Sequence, residues 1–186
     1  SLERNTGGIM STTKVVCISD LHGHLPDCLP IADILIIAGD ICPVFDHSFA
    51  FQKLWLETNF RDWLYKTRRR IPNIVYIAGN HDFVFEKVDL TQSSWINWER
   101  TQKEIRVDKG IFYLQDSGIQ IGDLKIWGTP WQRRFYDWAF NLDEPDLAKK
   151  WELIPKDTDI IVCHGPAYGY GDSVLPLRWK DEEKWP

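Results

Sequence analysis

The chain lacks the features that would tie it to a membrane or to a disulfide framework. No apolar run approaches the roughly 20 residues that cross a bilayer, which excludes a helical membrane span. Cysteine occurs four times, at Cys17, Cys28, Cys42 and Cys163, and never with C-x-x-C spacing. Cys17 and Cys163 fall inside apolar runs, where a free thiol acts as a small hydrophobe. A reducing, cytoplasmic setting is therefore expected rather than a disulfide scaffold. Positive charge is not in excess: 22 Lys and Arg face 27 Asp and Glu, a net charge of −5. That argues against bulk binding to a nucleic-acid backbone. An acidic chain can still act on phosphate groups if metal ions invert the local field. Methionine occurs once, at Met10, just before the first apolar run. The ten residues up to it are polar, so no secretory leader is expected. Residues 1–9 are read as a foreign or disordered tail, and Met10 as the native start. There is no internal repeat and no low-complexity segment.

What is present fits one soluble domain. The 186 residues suffice for a real core, and 44% apolar with 26% charged residues is ordinary for a globular protein. Four short apolar runs each end in residues that can bind a metal. Residues 15–19 run into Asp20-Leu21-His22, and 34–38 into Gly39-Asp40. Residues 74–78 run into Gly79-Asn80-His81-Asp82, and 160–163 into His164-Gly165. Short β-branched runs of this kind read as buried strands of an α/β sheet. Ligands of such sheets bind beyond the carboxyl ends of the strands. Asp20, Asp40, Asn80, His22, His81 and His164 are thus expected at one place.

Between these runs, residues 48–70 are expected to form one long helix. Phe51, Leu54, Trp55, Trp63 and Leu64 would be its apolar stripe, and residues 67–70 place cations near its carboxyl end. A helix over 90–100 is expected, interrupted at Ser93-Ser94. Residues 112–115 read as a strand, and 119–121 with 124–127 as a hairpin around Gly122-Asp123. A helix over 147–153 would be entered through Asp143-Glu144-Pro145 and stopped by Pro155. This change from strand–helix alternation to a hairpin predicts a second, more antiparallel sheet. Residues 165–172 read as a Gly- and Pro-rich loop.

The spacing of the ligand types suggests how they act. In an extended segment residues i and i+2 point the same way, so Asp20 and His22 would grip one ion together. Mixed oxygen and imidazole donors suit Mn, Fe or Zn. Six candidate ligands are too many for one four-coordinate ion with an open position. Two divalent ions bridged by a carboxylate fit better, with a hydroxide held between them as nucleophile.

These motifs resemble those of the calcineurin-like metallophosphoesterases: Asp20-x-His22, Gly39-Asp40, Gly79-Asn80-His81-Asp82 and His164-Gly165-Pro166. The likeness extends through Tyr113-Leu114-Gln115-Asp116-Ser117, Trp127-Gly128-Thr129-Pro130-Trp131 and Ala139-Phe140-Asn141-Leu142, and through residues 151–158 ahead of the His164 loop, to the subfamily called metallophosphoesterase domain-containing proteins. The resemblance implies an α/β fold in four layers, an αββα sandwich of two mixed β-sheets flanked by helices. It implies that Asp20 and His22 bind the first metal, Asp40 bridges, and Asn80 and His164 bind the second. It also implies that His81 faces the substrate phosphate beside Asn80 and protonates the leaving oxygen, with Asp82 orienting His81. The implied function is a phosphodiesterase acting on small phosphate esters, including cyclic nucleotides. The alternative is a catalytically weak nucleotide- or phosphate-binding protein that keeps the fold.

One departure is plain. The family's Gly-His-x-His motif has no counterpart after His164, since the five His are 22, 24, 47, 81 and 164. Each ion is left with three protein ligands, and the domain over 10–186 is expected to be C-terminally incomplete. Uneven metal occupancy and self-association through an exposed sheet edge are expected to follow. His24 reads as a solvated loop residue, and His47 as a helix-start residue without a role. Trp127, Trp131, Phe135, Tyr136, Trp138 and Phe140 form an aromatic-rich stretch. It is read as packing, the alternative being a wall that stacks a nucleobase with Arg133 or Arg134 near phosphate.

Overall fold

A computed structural model describes residues 2–3, 12–87, 110–166 and 169. A short antiparallel pair, β1 (Leu2–Glu3) and β2 (Thr12–Thr13), precedes the main sheet. That sheet comprises β3 (Val15–Ile18), β4 (Ile34–Ala38), β5 (Asn73–Ile77) and β6 (Ile111–Tyr113), all parallel in the order β3-β4-β5-β6. The central strands β4 and β5 are apolar on both faces because both faces are covered. Their alternation divides the core in two. Leu35, Ile37, Ile74 and Tyr76 face the helices, while Ile34, Ile36, Val75 and Ile77 face a second sheet. Burying each such aliphatic side chain contributes roughly 1.5–3 kcal/mol.

The second sheet comprises β7 (Ser117–Ile121), β8 (Leu124–Thr129) and β11 (Ile160–Cys163), in the order β11-β8-β7. β7 and β8 form the expected hairpin, turning at Gly122, whose φ is 59°. β11 runs parallel to β8, so the sheet is mixed. Leu124, Ile126 and Val162 meet the inner face of the first sheet. Cys17 lies in a strand as expected but is exposed, β3 being at the edge of its sheet among the described residues. Of the expected layers of the α/β sandwich, helix, sheet and sheet lie among the described residues. Ile161, on the outer face of the second sheet, is exposed.

The long helix at 48–70 forms in three pieces: α1 (Phe49–Trp55), a π turn (Leu56–Phe60) and α2 (Arg61–Arg68). Ser48 caps it by accepting from Phe51 N–H. The buried positions are Gln52, Leu56, Phe60, Trp63 and Leu64, whereas Leu54 is exposed. Four of these, Gln52, Leu56, Phe60 and Leu64, are spaced four apart. On a regular α-helix that spacing drifts about 40° per step, and a wider π turn takes up the drift. Leu54, expected in the stripe, lies instead on the side of α1 opposite Gln52 and Leu56. α3 (Phe83–Lys87) follows the third ligand motif. The helix expected over 90–100 lies outside the described residues.

β9 (Gln132–Arg133) pairs in parallel with β10 (Asn141–Leu142). α4 (Glu144–Trp151) begins three residues earlier than expected. Pro145 sits in its first turn, where its fixed φ favours entry into a helix. Asp116 ties these parts together, accepting from Thr129 Oγ1, Trp131 Nε1 and Lys150 Nζ at 3.0, 2.8 and 2.6 Å. Among the described residues no helix is long and apolar enough to cross a membrane.

The π turn makes Phe60 the centre of the helix–sheet layer, stacked between Trp55 and Trp63 and edge-on to Tyr76. Phe60→Ala is expected to cost about 3–5 kcal/mol in urea unfolding, against at most about 0.5 kcal/mol for exposed Leu54→Ala. Equal losses would mean that Leu54 faces the core as Phe60 does.

Candidate metal centre

Three parallel strands of the first sheet and β11 of the second end side by side. Asp20 follows β3, Asp40 follows β4, Asn80 follows β5 and His164 follows β11. The loops after β3 and β4 are laced by backbone hydrogen bonds. Asp20 N–H donates to Gly39 O (3.1 Å), His22 N–H to Asp40 O (2.8 Å) and Gly23 N–H to Ile41 O (3.0 Å). Asp20 and His22 do not converge through strand alternation as expected. Both are left-handed, with φ of 54° and 45°, and Asp40 is likewise at 53°. Left-handed non-glycine residues cost on the order of 1–3 kcal/mol each and gather at functional sites.

Two glycines let the loops close on one another. A Cβ on Gly39, whose φ is 94°, would stand 2.6 Å from His164 Nδ1. A Cβ on Gly79 would stand 2.3 Å from the Asp40 carboxylate.

Asp40 is the centre of the cluster, with 3% of its surface exposed. Its Oδ2 lies 3.6 Å from His22 Nε2, and its Oδ1 lies 3.4 Å from His164 Nε2. His22 Nε2 is also 3.9 Å from Asp20 Oδ1. Donor atoms of Asp20, Asp40 and His164 all lie within 4.8 Å of one another. Two ligands each about 2.1 Å from a tetrahedral ion stand roughly 3.4 Å apart, so these spacings and this donor set suit divalent ions. His164 Nδ1–H donates to Ala38 O at 2.8 Å, which leaves Nε2 as the ligand edge. Asn80 Oδ1 lies 2.9 Å from that Nε2. Asp20, His22, Asp40, Asn80 and His164 are therefore brought together, and all could hold metal.

His81 sits at the same mouth with its Nε2 3.9 Å from Asp40 Oδ2, and its backbone N–H donates to Asp40 Oδ1 at 2.9 Å. Asp82 does not orient the His81 ring. Its carboxylate is fully buried and accepts from Gly79 N–H (2.8 Å), Ile41 N–H (3.0 Å) and Cys42 N–H (2.7 Å). Sequence adjacency to His81 suggested the pairing, but the chain turns the carboxylate inward.

The ring contacts of His81 come from elsewhere. His47 Nε2 lies 3.2 Å from its Nδ1, and Trp138 packs on it at 4.1 Å between centroids. Gln52 Nε2 donates to His81 O at 2.7 Å, while Gln52 Oε1 accepts from Val84 N–H at 3.0 Å. A glutamine on an otherwise apolar helix stripe was the one sequence signal for that clamp. The aromatic-rich stretch divides: Phe140 and Trp131 pack together inside, Trp138 faces His81, and Phe135 and Tyr136 are exposed. Arg134 pairs with Asp143 and Arg133 with Glu144. His24 is exposed, as a solvated loop residue would be.

Burial raises the Asp40 pKa, but the hydrogen bond and charge of His164, with the His81 N–H, outweigh it and hold the carboxyl below its ordinary value. Burial lowers the His81 pKa, and the neighbouring histidines add to this against the pull of Asp40. Burial alone would also lower His164. The Asp40 carboxylate and the Ala38 carbonyl override it and bring His164 up to about 9 from 6.5.

The sign of this shift gives a test. A histidine raised on folding adds stability that is complete below its unfolded pKa and vanishes above the folded one. Chelator-treated protein is therefore expected to lose melting temperature as pH rises from about 6.5 to about 9. His164→Gln should flatten that slope. A wild-type melting temperature constant across this window would mean that Asp40 does not hold His164 as a cation.

Residues 13–183 match the calcineurin-like phosphoesterase family. Human and mouse metallophosphoesterase domain-containing protein 1 are each 34% identical over 181 residues, covering 87% of this chain and 51% of theirs. A Caenorhabditis elegans UPF0046 protein is 30% identical over 187 residues, covering 87% of this chain and 43% of its own. The chain thus spans about half the length of the curated relatives it matches. With a match over nearly the whole sequence and a cluster of Asp, His and Asn donors at the strand ends, the chain belongs to the calcineurin-like phosphoesterases.

Proposed function

We propose that this chain is a dinuclear metal-dependent phosphodiesterase, acting on small phosphate esters that include cyclic nucleotides. What supports the reading is the division of the Asp40 carboxylate, one oxygen toward His22 and the other toward His164. A carboxylate with its oxygens turned to two donor sets is the shape of a bridging ligand. Asp20, His22 and Asp40 would hold one ion, and Asp40, Asn80 and His164 the other. Bound there, ions of the Mn, Fe or Zn type would supply an activated water and positive charge against the charge that builds on the phosphate.

The protein's own groups do the rest. Gly39 and Gly79 let Asp40 approach both donor sets. Asn80 and His81 face the phosphate. His81 Nε2–H donates a hydrogen bond to the leaving oxygen and stabilises the negative charge that gathers there. Free cysteines at all four positions support the expected reducing, cytoplasmic setting. Among the described residues β11 stands at the edge of its sheet, a position that supports self-association through strand pairing.

Asp40→Ala is expected to remove metal from both sites and abolish turnover, whereas Asn80→Ala should remove about one equivalent. Metal content per chain and hydrolysis of an activated phosphodiester with Mn²⁺ measure this. Retention of both metals and near wild-type turnover in Asp40→Ala sinks the dinuclear reading.

His81→Ala is expected to keep its metal while kcat falls by about 10²–10⁴-fold on poor leaving groups. The loss should shrink for nitrophenyl esters, which leave without a proton. Equal losses on both substrate types remove His81 from the side of the leaving oxygen.

A further inference from the structure

We propose that His47 is a positioning residue for the ester hydrolysis proposed above, fixing the ring plane and tautomer of His81 through a hydrogen bond from its Nε2 to His81 Nδ1. The two nitrogens lie 3.2 Å apart. The direction of that bond follows from the other edge of the ring. His81 Nε2 faces the buried Asp40 carboxylate at 3.9 Å, and a carboxylate favours N–H there over a lone pair. A neutral imidazole carries one proton, so His81 with Nε2–H has an accepting Nδ1. His47 Nε2–H is the donor that matches it. His81 thereby presents its N–H edge toward the metal side, where the leaving oxygen would depart.

The surroundings hold the pair in place. Trp138 lies against both rings, with centroids 4.1 Å from His81 and 5.5 Å from His47. Phe83 packs on His47 at 5.3 Å, and His22 meets His81 edge-on at 5.1 Å. His47 itself is fixed between Asp46, whose Oδ1 accepts from Ser48 N–H at 2.8 Å, and the Ser48 helix cap. Gln52, on the helix that begins just after His47, secures the His81 backbone. The segment that supplies His47 thus also anchors the loop it acts on. Asp82, the acidic neighbour in sequence, is committed to backbone N–H groups and leaves this task open.

Two substitutions separate packing from hydrogen bonding. His47→Phe keeps an aromatic ring between Phe83 and Trp138 and removes the donor. His47→Gln places an amide N–H near the position of Nε2. Histidine-selective nitrogen NMR reads the His81 tautomer without any need for turnover. Wild type should show His81 protonated at Nε2 with an accepting Nδ1, His47→Phe should show a mixture of tautomers, and His47→Gln should restore the wild-type pattern. In kinetics with Mn²⁺, His47→Phe should lower kcat about 10–100-fold on alkyl phosphodiesters, with KM and metal content held, and much less on nitrophenyl esters. In a His81→Ala background it should do nothing further.

An unchanged His81 tautomer in His47→Phe overturns the proposal. So does a kcat loss equal on both leaving groups, or one that persists in the His81→Ala background. If wild type hydrolyses no phosphate ester, the phosphoesterase reading falls, and with it His47's part in catalysis. The NMR comparison then reports separately whether His47 sets the His81 tautomer.

Discussion

The buried carboxylate of Asp82 holds the site in register. It accepts N–H groups from its own turn, at Gly79, and from the loop after β4, at Ile41 and Cys42. Each of those donors left unpaired in the interior would cost about 1–3 kcal/mol, so one anion satisfies three demands at once. The bond set fastens the end of β5 to the end of β4. Further hydrogen bonds gather on the same turn: His81 N–H to Asp40, Gln52 to His81 O, and Ala139 N–H to Asn80 O. A carboxyl group next to His81 in sequence serves instead as the joint between two loops.

With the joint in place, the backbone tolerates conformations it would otherwise avoid. Asp20, His22 and Asp40 are all left-handed. Three ordered backbone bonds between the loops after β3 and β4 offset part of that cost. The core beneath offsets more, since the Ile and Leu side chains of β4 are almost wholly buried. The left-handed turns bring donor side chains together where extended strands would splay them apart. Packing supplies the free energy, and the strained turns supply the geometry.

Much of this was legible in the chain. β4 and β5 read as buried strands because continuous β-branched runs have few other uses at that length. Donors placed after such strands had to meet at the carboxyl edge, and Asp20, Asp40 and His164 do meet there. The hairpin at Gly122 was legible for a similar local reason. What escaped was set by distance along the chain or by small changes of period. His47 and Trp138 reach His81 from 34 residues before it and 57 residues after it. Leu54 faces outward because it lies on the side of α1 opposite buried Gln52 and Leu56, and nothing local to the sequence says which side meets the sheet. The role given to Asp82 failed because adjacency in sequence says nothing about which way a tight turn points a side chain.

The sequence by itself determined which atoms are available: carboxylates, imidazoles and an amide at the ends of strands that must lie parallel and buried. Hydrophobic periodicity and steric preference act over a few residues, so those facts can be read locally. The tertiary structure decided which of those atoms face one another. It turned the Asp40 oxygens toward two different histidines, sent the Asp82 carboxylate to the backbone, and set His47 and Trp138 against His81. Such orientations depend on how whole layers pack, because a ring or carboxylate is fixed only when groups distant in sequence close around it.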